Sequence, residues 1–432
     1  MKFLTTLSVF VVSALSFLEA NDGKVVTYLQ NSAIPVSSAT DLTPLIERIG
    51  ESRYVLLGES SHGTHEYYIW RKRISKRLIE EKNFSFIAVE GDWSSAYELN
   101  KYVKNQPGAA ANAREAVHAF KRWPQWMWAN EETIALVEWL REYNSDKPED
   151  QKVGFYGIDL YAFDESMDEV ISYLQNIDVE KAQLATQAYS CLSPFRENMH
   201  DYVRAVFSGM DDCAQRAESV VELLHSLAPE DRCQYHFNAL QNALVVRNAE
   251  RHFRAMASRD QTSWNHRVDN FKQTVEKLMQ YYGAESRGIV WAHNTHVGDA
   301  RATSMIHQGM ENIGKMLREK HEEENVFIVG FSTNRGEVVA GTQWGSPMQI
   351  MQIPQGAEGS AEDLFLESGF EKALFLFDEN TPEPLFNGIG HRAKGVVYNP
   401  AQEHGNYVPT ILPRRYDAFF FIKETSALKA LQ

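Results

Sequence analysis

Short apolar runs that end at polar and ionisable side chains recur along this chain. Four of them are YVLLGESSHG (54–63), FSFIAVEGD (84–92), VGFYGID (153–159) and GIVWAHNTHVGD (288–299). The apolar part of each predicts a buried strand. Ligands of open α/β sheets bind in the crevice at the carboxyl ends of the parallel strands, so we expect the four polar ends to lie together. The candidate active-site residues at these ends are Glu59, His62, Glu90, Asp159, His293 and His296.

Helices are predicted around the first strands. Residues 41–49 and about 66–81 have helical periodicity. The second of these helices, between strands at 54–58 and 84–90, completes a βαβ unit with an expected right-handed parallel crossover. Ser94 is expected to cap the helix that follows.

The pattern from residue 161 to 284 is almost wholly helical, as in ESMDEVISYLQNI and FNALQNALVVRNAERHFRAM. Roughly 120 residues of helix between two strands of one sheet far exceed a normal crossover. We therefore predict an inserted all-helical subdomain that covers the carboxyl edge of the strands. Such a lid would exclude water and shape the pocket.

Strand signals return after this segment, at 326–333, 373–377, 395–400 and 417–422. Residues 334–365 contain glycines and few apolar runs, and a loop-rich segment is expected there. The predicted fold class is α/β, with a mostly parallel central sheet flanked by helices.

The predicted organisation has four parts. They are a signal peptide at 1–20, the first part of the α/β core at 21–160, the helical insert at 161–284 and the second part of the core at 285–432.

Composition indicates a globular protein, with 44% hydrophobic and 23% charged residues. The 43 Lys and Arg residues against 58 Asp and Glu residues give a net charge of −15. No dense basic patch is present in the sequence, so nucleic acid is not expected as a partner.

The first residues, MKFLTTLSVFVVSALSFLEA, have the layout of a secretory signal peptide. Lys2 precedes an apolar run, and the small residue Ala20 precedes polar residues. The alternative is an uncleaved N-terminal anchor helix. We expect an exported protein, periplasmic or secreted, with no stable membrane span after leader removal.

Export would place Cys191, Cys213 and Cys233 in an oxidising compartment. Three cysteines permit at most one internal disulfide and leave one thiol over. No histidine lies at metal-ligand spacing beside them, so a structural role is preferred to a catalytic one.

His62 is the preferred general base. A serine hydrolase would need G-x-S-x-G at a strand–turn–helix elbow, and the order Gly58-Glu-Ser-Ser-His-Gly63 does not provide it. His62 acting on water is therefore preferred to Ser60 or Ser61 as a nucleophile, because an imidazole titrates near neutrality.

Glu90 ends a strand beside the His62 loop, where a carboxylate can orient an imidazole and stabilise its charged form. A structural ion pair with Arg71 is the alternative, and both can hold at once. His293 and His296, in H-N-T-H, could present two imidazoles together on a helical turn.

The same residues also permit a metal site. With Glu90 nearby, a zinc or manganese ion would take its ligands from His62, Glu59, His293 and His296. Acid–base catalysis without a metal is the other hypothesis that the residues allow.

Trp123, Trp126 and Trp128 lie within six residues. Ordinary packing on the core accounts for at least two of them. The functional interpretation is an apolar wall for a bulky ligand, with Trp126 as the candidate residue.

Longer motifs carry a family resemblance. They are GESSHGT (58–64), Arg71, VEGDW (89–93), YGID (156–159), SWNHR (263–267), VWAHNTHVGDAR (290–301), VGFSTNRG (329–336), GVVYNP (395–400) and NYVPTILPRRYDAFFFI (406–422). In this collinear order the chain resembles the erythromycin esterase family, including its succinoglycan biosynthesis members. One departure is that Val268 separates Arg267 from Asp269, where family members often have the acid directly after the arginine.

The resemblance implies an α/β core with a helical subdomain, and hydrolysis of an ester or a lactone. In antibiotic-inactivating members the substrate is the macrolactone of erythromycin-like drugs. The family's general base corresponds to His62, and its other site residues correspond to Glu59, Arg71, Glu90, His293 and His296.

The mechanism implied is a water deprotonated by His62 with Glu90 in support. His293 or His296, with Arg71 as a further candidate, would receive the oxyanion. Arg71, Trp126 and Asp159 are the candidate substrate-binding residues, and Asp159 has the least defined role.

The leading hypothesis is an exported hydrolase of a small-molecule ester or lactone that needs no cofactor. The second is a metal-dependent hydrolase with the same residues. The third is a protein of envelope polysaccharide metabolism that binds a ligand in this pocket without esterase turnover. The true substrate and the oligomeric state stay open at this point.

Overall fold

The apolar runs of the sequence form the strands of one large sheet. The structure is a computed structural model that describes residues 23–227, 233–258 and 260–431. The signal peptide predicted at 1–20 lies outside the described residues.

The described residues contain eleven strands. They are β1 (Ile34–Pro35), β2 (Tyr54–Leu57), β3 (Phe86–Asp92), β4 (Gly154–Asp159), β5 (Gly288–Trp291), β6 (Val326–Ala340), β7 (Gln349–Ile353), β8 (Lys372–Leu376), β9 (Ile389–Arg392), β10 (Tyr407–Thr410) and β11 (Ala418–Thr425).

Within these described residues, nine strands form one sheet in the order β1-β8-β11-β6-β2-β5-β3-β4, with β7 paired to β6 beside this path. The strands from β11 to β4 pair in parallel. The pairs β1–β8, β8–β11 and β6–β7 are antiparallel, and β9 and β10 form a separate antiparallel pair. The predicted mostly parallel α/β sheet is confirmed. Because β5 lies between β2 and β3, the polar ends of β2, β5, β3 and β4 are neighbours.

Sixteen α-helices surround the sheet in the described part of the chain. They are α1 (Gly23–Ser32), α2 (Thr43–Ile49), α3 (His65–Lys82), α4 (Trp93–Val103), α5 (Ala113–Val117), α6 (Glu131–Asn144), α7 (Phe163–Ile177), α8 (Val179–Tyr189), α9 (Met199–Phe207), α10 (Ala214–Ser226), α11 (Gln234–Ala255), α12 (Thr262–Tyr282), α13 (Asn294–Val297), α14 (Ile313–His321), α15 (Ala361–Leu366) and α16 (Leu412–Arg415). None of the described helices is long and apolar enough to cross a membrane.

The helices α7 to α12 all lie between β4 and β5. The helix α11 packs against α7, α10 and α12, and α12 also packs against β4 and β5. Cys191 and Cys213 form a disulfide within this segment, and Cys233 is a free thiol. The last helix of the segment, α12, therefore returns the chain to the sheet before β5. The domain boundaries at 161 and 284 stay a prediction.

The strands are apolar on both faces because apolar clusters cover both sides of the sheet. Alternate side chains of a strand point to opposite faces. In β3, Phe86 and Ala88 belong to one buried cluster, whereas Ile87 and Val89 belong to the other. Near-continuous apolar runs are what a parallel sheet covered on both faces requires.

Three local predictions were wrong. The helix α4 begins at Trp93 with Asp92 at the N-cap position, so Ser94 is not its cap. Residues 395–400 form no strand, because their backbone makes only a single bridge, between Gly341 and Val397, and no ladder with a neighbouring strand. Residues 334–365 are not mainly loop, since β6 continues to Ala340 and pairs with β7.

Two glycines let the loop after β2 approach its neighbours closely. A Cβ atom on Gly58 would lie 2.0 Å from Asn294 Oδ1, and one on Gly63 would lie 2.0 Å from the carbonyl oxygen of Val339. The Gly63 carbonyl also accepts hydrogen bonds from the amides of Val339 and Leu428, at 2.9 and 3.0 Å. Close backbone contact is therefore what requires glycine at both positions.

We predict that Gly63→Ala lowers the free energy of unfolding by about 1–3 kcal/mol, because the added methyl group overpacks against backbone that cannot rotate away. The measurement is the urea unfolding midpoint. Gly395→Ala is the matched control, since a Cβ there would meet nothing within 4 Å. Equal midpoints for the two variants would contradict the close contact described for Gly63.

Candidate active site

His62 is held by a chain of charged groups that begins behind the active site. Its Nδ1 atom lies 2.9 Å from Glu59 Oε1, and Glu59 Oε2 accepts a 2.7 Å hydrogen bond from Arg71 Nη2. A carboxylate can only accept, so the proton of a neutral His62 lies on Nδ1 and its Nε2 carries the lone pair. No hydrogen bond of the described residues uses that Nε2. The arrangement leaves His62 ready to act as a base.

Arg71 lies deep in the protein with no exposed surface. Its guanidinium carbon lies 4.6 Å from the centroid of the Tyr68 ring and 4.7 Å from that of the Trp291 ring. These contacts give Arg71 the role of positioning Glu59. They do not support its predicted contact with substrate or with an oxyanion.

The neighbouring serines are engaged elsewhere. Ser60 Oγ is 2.6 Å from Tyr67 Oη, and Ser61 Oγ is 2.5 Å from Thr64 Oγ1. Among the described residues neither hydroxyl makes a hydrogen bond to His62. The preference for water over a serine nucleophile agrees with this geometry.

Glu90 is paired with Arg267, not with Arg71. Arg267 Nη2 donates a 2.9 Å hydrogen bond to Glu90 Oε1, and the backbone amide of His293 donates a 2.8 Å bond to Glu90 Oε2. The alternative hypothesis of an ion pair with an arginine is correct, but its candidate partner Arg71 is wrong, because the Glu59 carboxylate in the loop after β2 binds that guanidinium. Glu90 therefore holds the H-N-T-H turn by a hydrogen bond, and its effect on His62 is the electrostatic effect of its negative charge.

Arg267 was not among the predicted site residues, although it ends the SWNHR motif. Its Nε and Nη2 donate to the two oxygens of Asp159, at 2.9 and 2.5 Å, and its Nη1 is 3.2 Å from His296 Nε2. The guanidinium thus joins the ends of β3 and β4 to the turn after β5. Asp159 is fully engaged by this pairing, which gives it a positioning role rather than the predicted substrate-binding role.

His296 is packed into the protein. Its ring stacks on Trp264, with centroids 4.5 Å apart and planes inclined by 12°. Its Nε2 also lies 3.3 Å from Glu90 Oε1. Burial lowers the pKa of His296, against the opposing charge of Glu90. His296 therefore supports the site as a neutral ring beside Arg267 and Glu90.

His293 is the N-cap residue of α13, and its Nδ1 accepts a hydrogen bond from the amide of Thr295 at 3.2 Å. Burial and the neighbouring His62 hold the pKa of His293 well below its ordinary value. A neutral ring with an accepting Nδ1 carries its proton on Nε2. That Nε2 is buried and has no hydrogen-bond partner, and the ring centroid is 4.9 Å from that of His62. A donor is thus placed beside the base.

The pKa values of His62 and Glu90 shift in opposite directions. Burial would lower the pKa of His62, but the carboxylates of Glu90 and Glu59 outweigh it and raise the pKa above 6.5. Burial would raise the pKa of Glu90, but His296, His62 and Arg267 hold it well below 4.5. Glu90 is therefore ionised throughout the neutral range, and His62 is a stronger base than a free imidazole.

Asn294 connects the two histidine loops. Its backbone amide donates to the Glu59 carbonyl at 2.8 Å, and its side-chain amide donates to the Phe331 carbonyl at 2.7 Å. Arg415, from the C-terminal LPRRYD motif, donates a 2.9 Å bond to the Asn294 carbonyl. This fixes the position of His293 relative to His62.

Trp123, Trp126 and Trp128 differ in how deeply they are buried. Trp126 and Trp128 lie in the buried core, and the indole nitrogen of Trp128 donates to the Glu90 carbonyl at 2.9 Å. The contacts of Trp126 are those of a core side chain and do not support the predicted apolar wall. Trp123 is only half-buried and donates to the Ser346 carbonyl at 2.8 Å.

The residues do not fit the metal of the alternative hypothesis. Across the described ranges, no group of three or more His, Cys, Asp and Glu side chains is arranged to hold a metal ion. The oxygens of Glu59 are taken by His62 and Arg71, and a cation, Arg267, already occupies the position among Glu90, Asp159 and His296.

A family model described as erythromycin esterase matches residues 79–425. The chain belongs to the erythromycin esterase family. Family membership supports an esterase-type hydrolase.

The individual relatives are distant but match over almost their whole length. The chain is 22% identical over 423 residues to the erythromycin esterase type II of Escherichia coli, covering 91% of this chain and 94% of that protein. It is similar to the crystal structure of a succinoglycan biosynthesis protein, with a TM-score of 0.78, 22% identity and coverage of 94% and 98% of the two chains. A histidine-to-asparagine mutant of the erythromycin esterase EreC, in its open conformation, gives a TM-score of 0.67, 17% identity and coverage of 94% and 97%. At these identities the structural likeness shows the fold alone.

We predict that Arg267→Gln lowers the free energy of unfolding by about 3–5 kcal/mol near neutral pH, because it leaves two buried carboxylates without a cation. The pKa of Glu90 is lowered in the folded protein, so its contribution to stability is present above its ordinary value of 4.5 and is lost as the pH falls. The penalty of the variant should therefore shrink in acid. Urea unfolding at several pH values measures it.

Arg196→Gln is the matched control for Arg267→Gln. Arg196 makes two hydrogen bonds to Asp168, at 2.9 and 2.7 Å, and this pair is solvent-exposed. Exposed pairs contribute about 0–1 kcal/mol. If both variants cost the same, the central role given to Arg267 would be wrong.

Proposed function

We propose that this protein hydrolyses a carboxylic ester or a macrolactone with a water molecule that His62 activates. The observation that carries the proposal is the hydrogen bond from His62 Nδ1 to Glu59, which leaves Nε2 as the unprotonated, basic nitrogen of the neutral ring. Family membership supports the coarser statement, an esterase-type hydrolase. The activation of water by His62, the identity of the substrate and the biological role are what we propose beyond that statement.

In the first step, His62 Nε2 takes a proton from water as the water oxygen attacks the carbonyl carbon of the ester. The carbonyl π bond opens, and its electron pair becomes the oxyanion of a tetrahedral intermediate. Glu59 stabilises the imidazolium that forms, because the Nδ1–H group of His62 donates a charge-assisted hydrogen bond to the Glu59 carboxylate. Arg71 holds Glu59 in place from behind.

The oxyanion is stabilised by a hydrogen-bond donor placed in advance beside the attacked carbonyl. His293 can supply this donor, since its Nδ1 accepts from the amide of Thr295 and its Nε2 makes no hydrogen bond within the protein. Preorganised donors of this kind contribute the largest single electrostatic stabilisation in many hydrolases. Collapse of the intermediate breaks the carbon–oxygen bond to the alcohol, and His62 returns the proton to the departing alkoxide.

Glu90 and Arg267 act through other residues in this scheme. Glu90 fixes the backbone amide of His293 and raises the pKa of His62 by its charge. Arg267 keeps Glu90 ionised and in position. We assign both as positioning residues.

We extend the proposal to substrate and location. The Escherichia coli relative is named an erythromycin esterase, and we propose that macrolactones of this kind are among the substrates, with loss of antibiotic activity as the result. The leader at 1–20 supports an exported protein.

We predict that His62→Ala lowers kcat by roughly 100- to 10,000-fold on any ester that the wild type hydrolyses, because removal of a general base has costs of this size. The measurement is turnover of erythromycin and of a panel of simple esters. His404→Ala is a control that removes an exposed histidine from the 3₁₀ helix Pro400–Asn406, which precedes β10. A wild type and a His62→Ala protein equally inert on every ester would refute hydrolysis and leave ligand binding as the function of the site.

We predict that the activity rises with pH through the raised pKa of His62, so that the acid limb of the profile is centred above 6.5. His62 must be neutral to accept a proton, and the Glu59 carboxylate favours its charged form. Glu59→Gln should therefore move the acid limb to lower pH while it lowers kcat, since the ring loses its orienting partner. If the acid limb of Glu59→Gln stayed at the pH of the wild type, Glu59 would not be the group that raises the pKa of the base. The pH dependence of kcat/KM measures this limb.

A further inference from the structure

An aromatic group lies near the active site and takes no part in the chemistry described so far. Its members, Trp123, Tyr161 and Trp344, come from three separate segments. Trp344 is 61% exposed, an unusual value for so large an apolar side chain. Its ring lies 4.7 Å from that of Trp123 and 6.3 Å from that of Tyr161. We call these three residues the aromatic group.

The turn that carries Trp344 is held in place. The indole nitrogen of Trp123 donates to the Ser346 carbonyl at 2.8 Å, and Ser346 Oγ donates to the Gln343 carbonyl at 2.8 Å. Next to Trp123, Arg122 bonds Asp164 and Glu165 at the start of α7, at 2.6 and 2.7 Å. These contacts hold the turn that carries the exposed Trp344 indole. Little conformational entropy would therefore be lost if a ligand bound against it.

One member of the aromatic group, Tyr161, contacts an arginine of the active site. The Arg267 guanidinium carbon lies 5.2 Å from the centroid of the Tyr161 ring. The same guanidinium contacts Glu90 and His296. A ligand whose reacting carbonyl lay between His62 and His293 would extend towards Tyr161 and Trp344 if it were bulky.

A buried polar atom beside Tyr161 gives the second, independent observation. His252 lies 5.7 Å from the Tyr161 ring, and its Nδ1 donates to the Ser263 carbonyl, 2.8 Å away. His252 is 3% exposed, and its Nε2 is buried with no hydrogen-bond partner. Burial lowers the pKa of His252 to about 4, so the ring is neutral and Nε2 is an acceptor. An unpaired buried acceptor is unfavourable, and a hydroxyl group of a ligand would supply the hydrogen bond that it lacks.

We propose that the aromatic group binds a hydroxylated saturated ring in the part of the substrate that does not react, and that His252 Nε2 accepts a hydrogen bond from one of the hydroxyl groups. The C–H faces of such a ring stack on indole, while its hydroxyl groups supply the donor that the acceptor lacks. A hydrocarbon ring would satisfy only the first requirement. The inference rests on the proposed function for the position of the reacting carbonyl.

The test is binding to the His62→Ala protein, so that it does not depend on turnover. The probes are ethyl butyrate, cyclohexyl butyrate and the butyrate ester of methyl glucopyranoside, and calorimetry gives the Kd of each. We expect affinity to rise in this order. Adding Trp344→Ala should reduce the preference for both ring esters over the ethyl ester by roughly 3- to 10-fold, and Trp344→Phe should restore part of it.

Tyr235→Ala is the matched control, because Tyr235 is 59% exposed and lies at the start of α11. Seventeen residues of helix separate it from His252, or about 25 Å. This variant should leave all three affinities unchanged. His252→Phe should reduce the preference for the sugar ester over the cyclohexyl ester by roughly 10-fold.

Three results would overturn the inference. They are equal affinity of the parent protein for all three esters, unchanged ring preference in Trp344→Ala, and an equal loss of ring preference in Tyr235→Ala. Failure of the proposed hydrolysis is a separate result, seen as absence of turnover by the wild type on every ester whatever the Kd values. Because Trp344 is exposed, its variants test the inference even if His252→Phe does not fold.

Discussion

The site depends on burying two carboxylates, Glu90 and Asp159, at the ends of adjacent parallel strands. Each would be costly to ionise in the protein interior without a cation. Arg267 supplies that cation, and its planar set of donors reaches both carboxylates and the ring of His296 at once. A lysine has a single donor group and could not bind Asp159 through two atoms in this way. The helix α12, which carries Arg267, must therefore return to the carboxyl edge of the sheet, and this constrains the path of the helical segment between β4 and β5.

The order of the strands in the sheet places the proposed catalytic histidines beside these carboxylates. Because β5 lies between β2 and β3, its H-N-T-H turn lies between the His62 loop on one side and Glu90 on the other. Arg71 fixes Glu59 from behind the site, and Arg267 fixes Glu90 and Asp159 across it. Neither guanidinium is needed to contact substrate. The rigidity of His62 and His293 relative to each other comes from this double pairing and from the contacts of Asn294.

The sequence was most informative where a local pattern determines the structure. Apolar runs that end in polar residues located Glu59, His62, Glu90, Asp159, His293 and His296 at one edge of a mostly parallel sheet, and the structure places them there. It was least informative about pairing. Glu90 and Arg267 are 177 residues apart. No spacing rule distinguishes that arginine from Arg71, which lies nearer to Glu90 in the chain, on the helix that precedes β3. The prediction of a strand at 395–400 was wrong for a related reason. An apolar run forms a strand only if a neighbouring strand is placed to make backbone hydrogen bonds with it.

The two histidines nearest the proposed reaction centre differ because of what each Nδ1 contacts. In His62 that atom faces the Glu59 carboxylate, which requires a proton there and favours the charged ring, so Nε2 is a base. In His293 it faces the amide proton of Thr295, which excludes a proton there and leaves Nε2 a donor. Protonation of either ring disfavours protonation of the other, because the centroids are 4.9 Å apart. As His62 gains its proton from water, its positive charge therefore holds His293 more firmly in the neutral form, whose single proton lies on the donating Nε2.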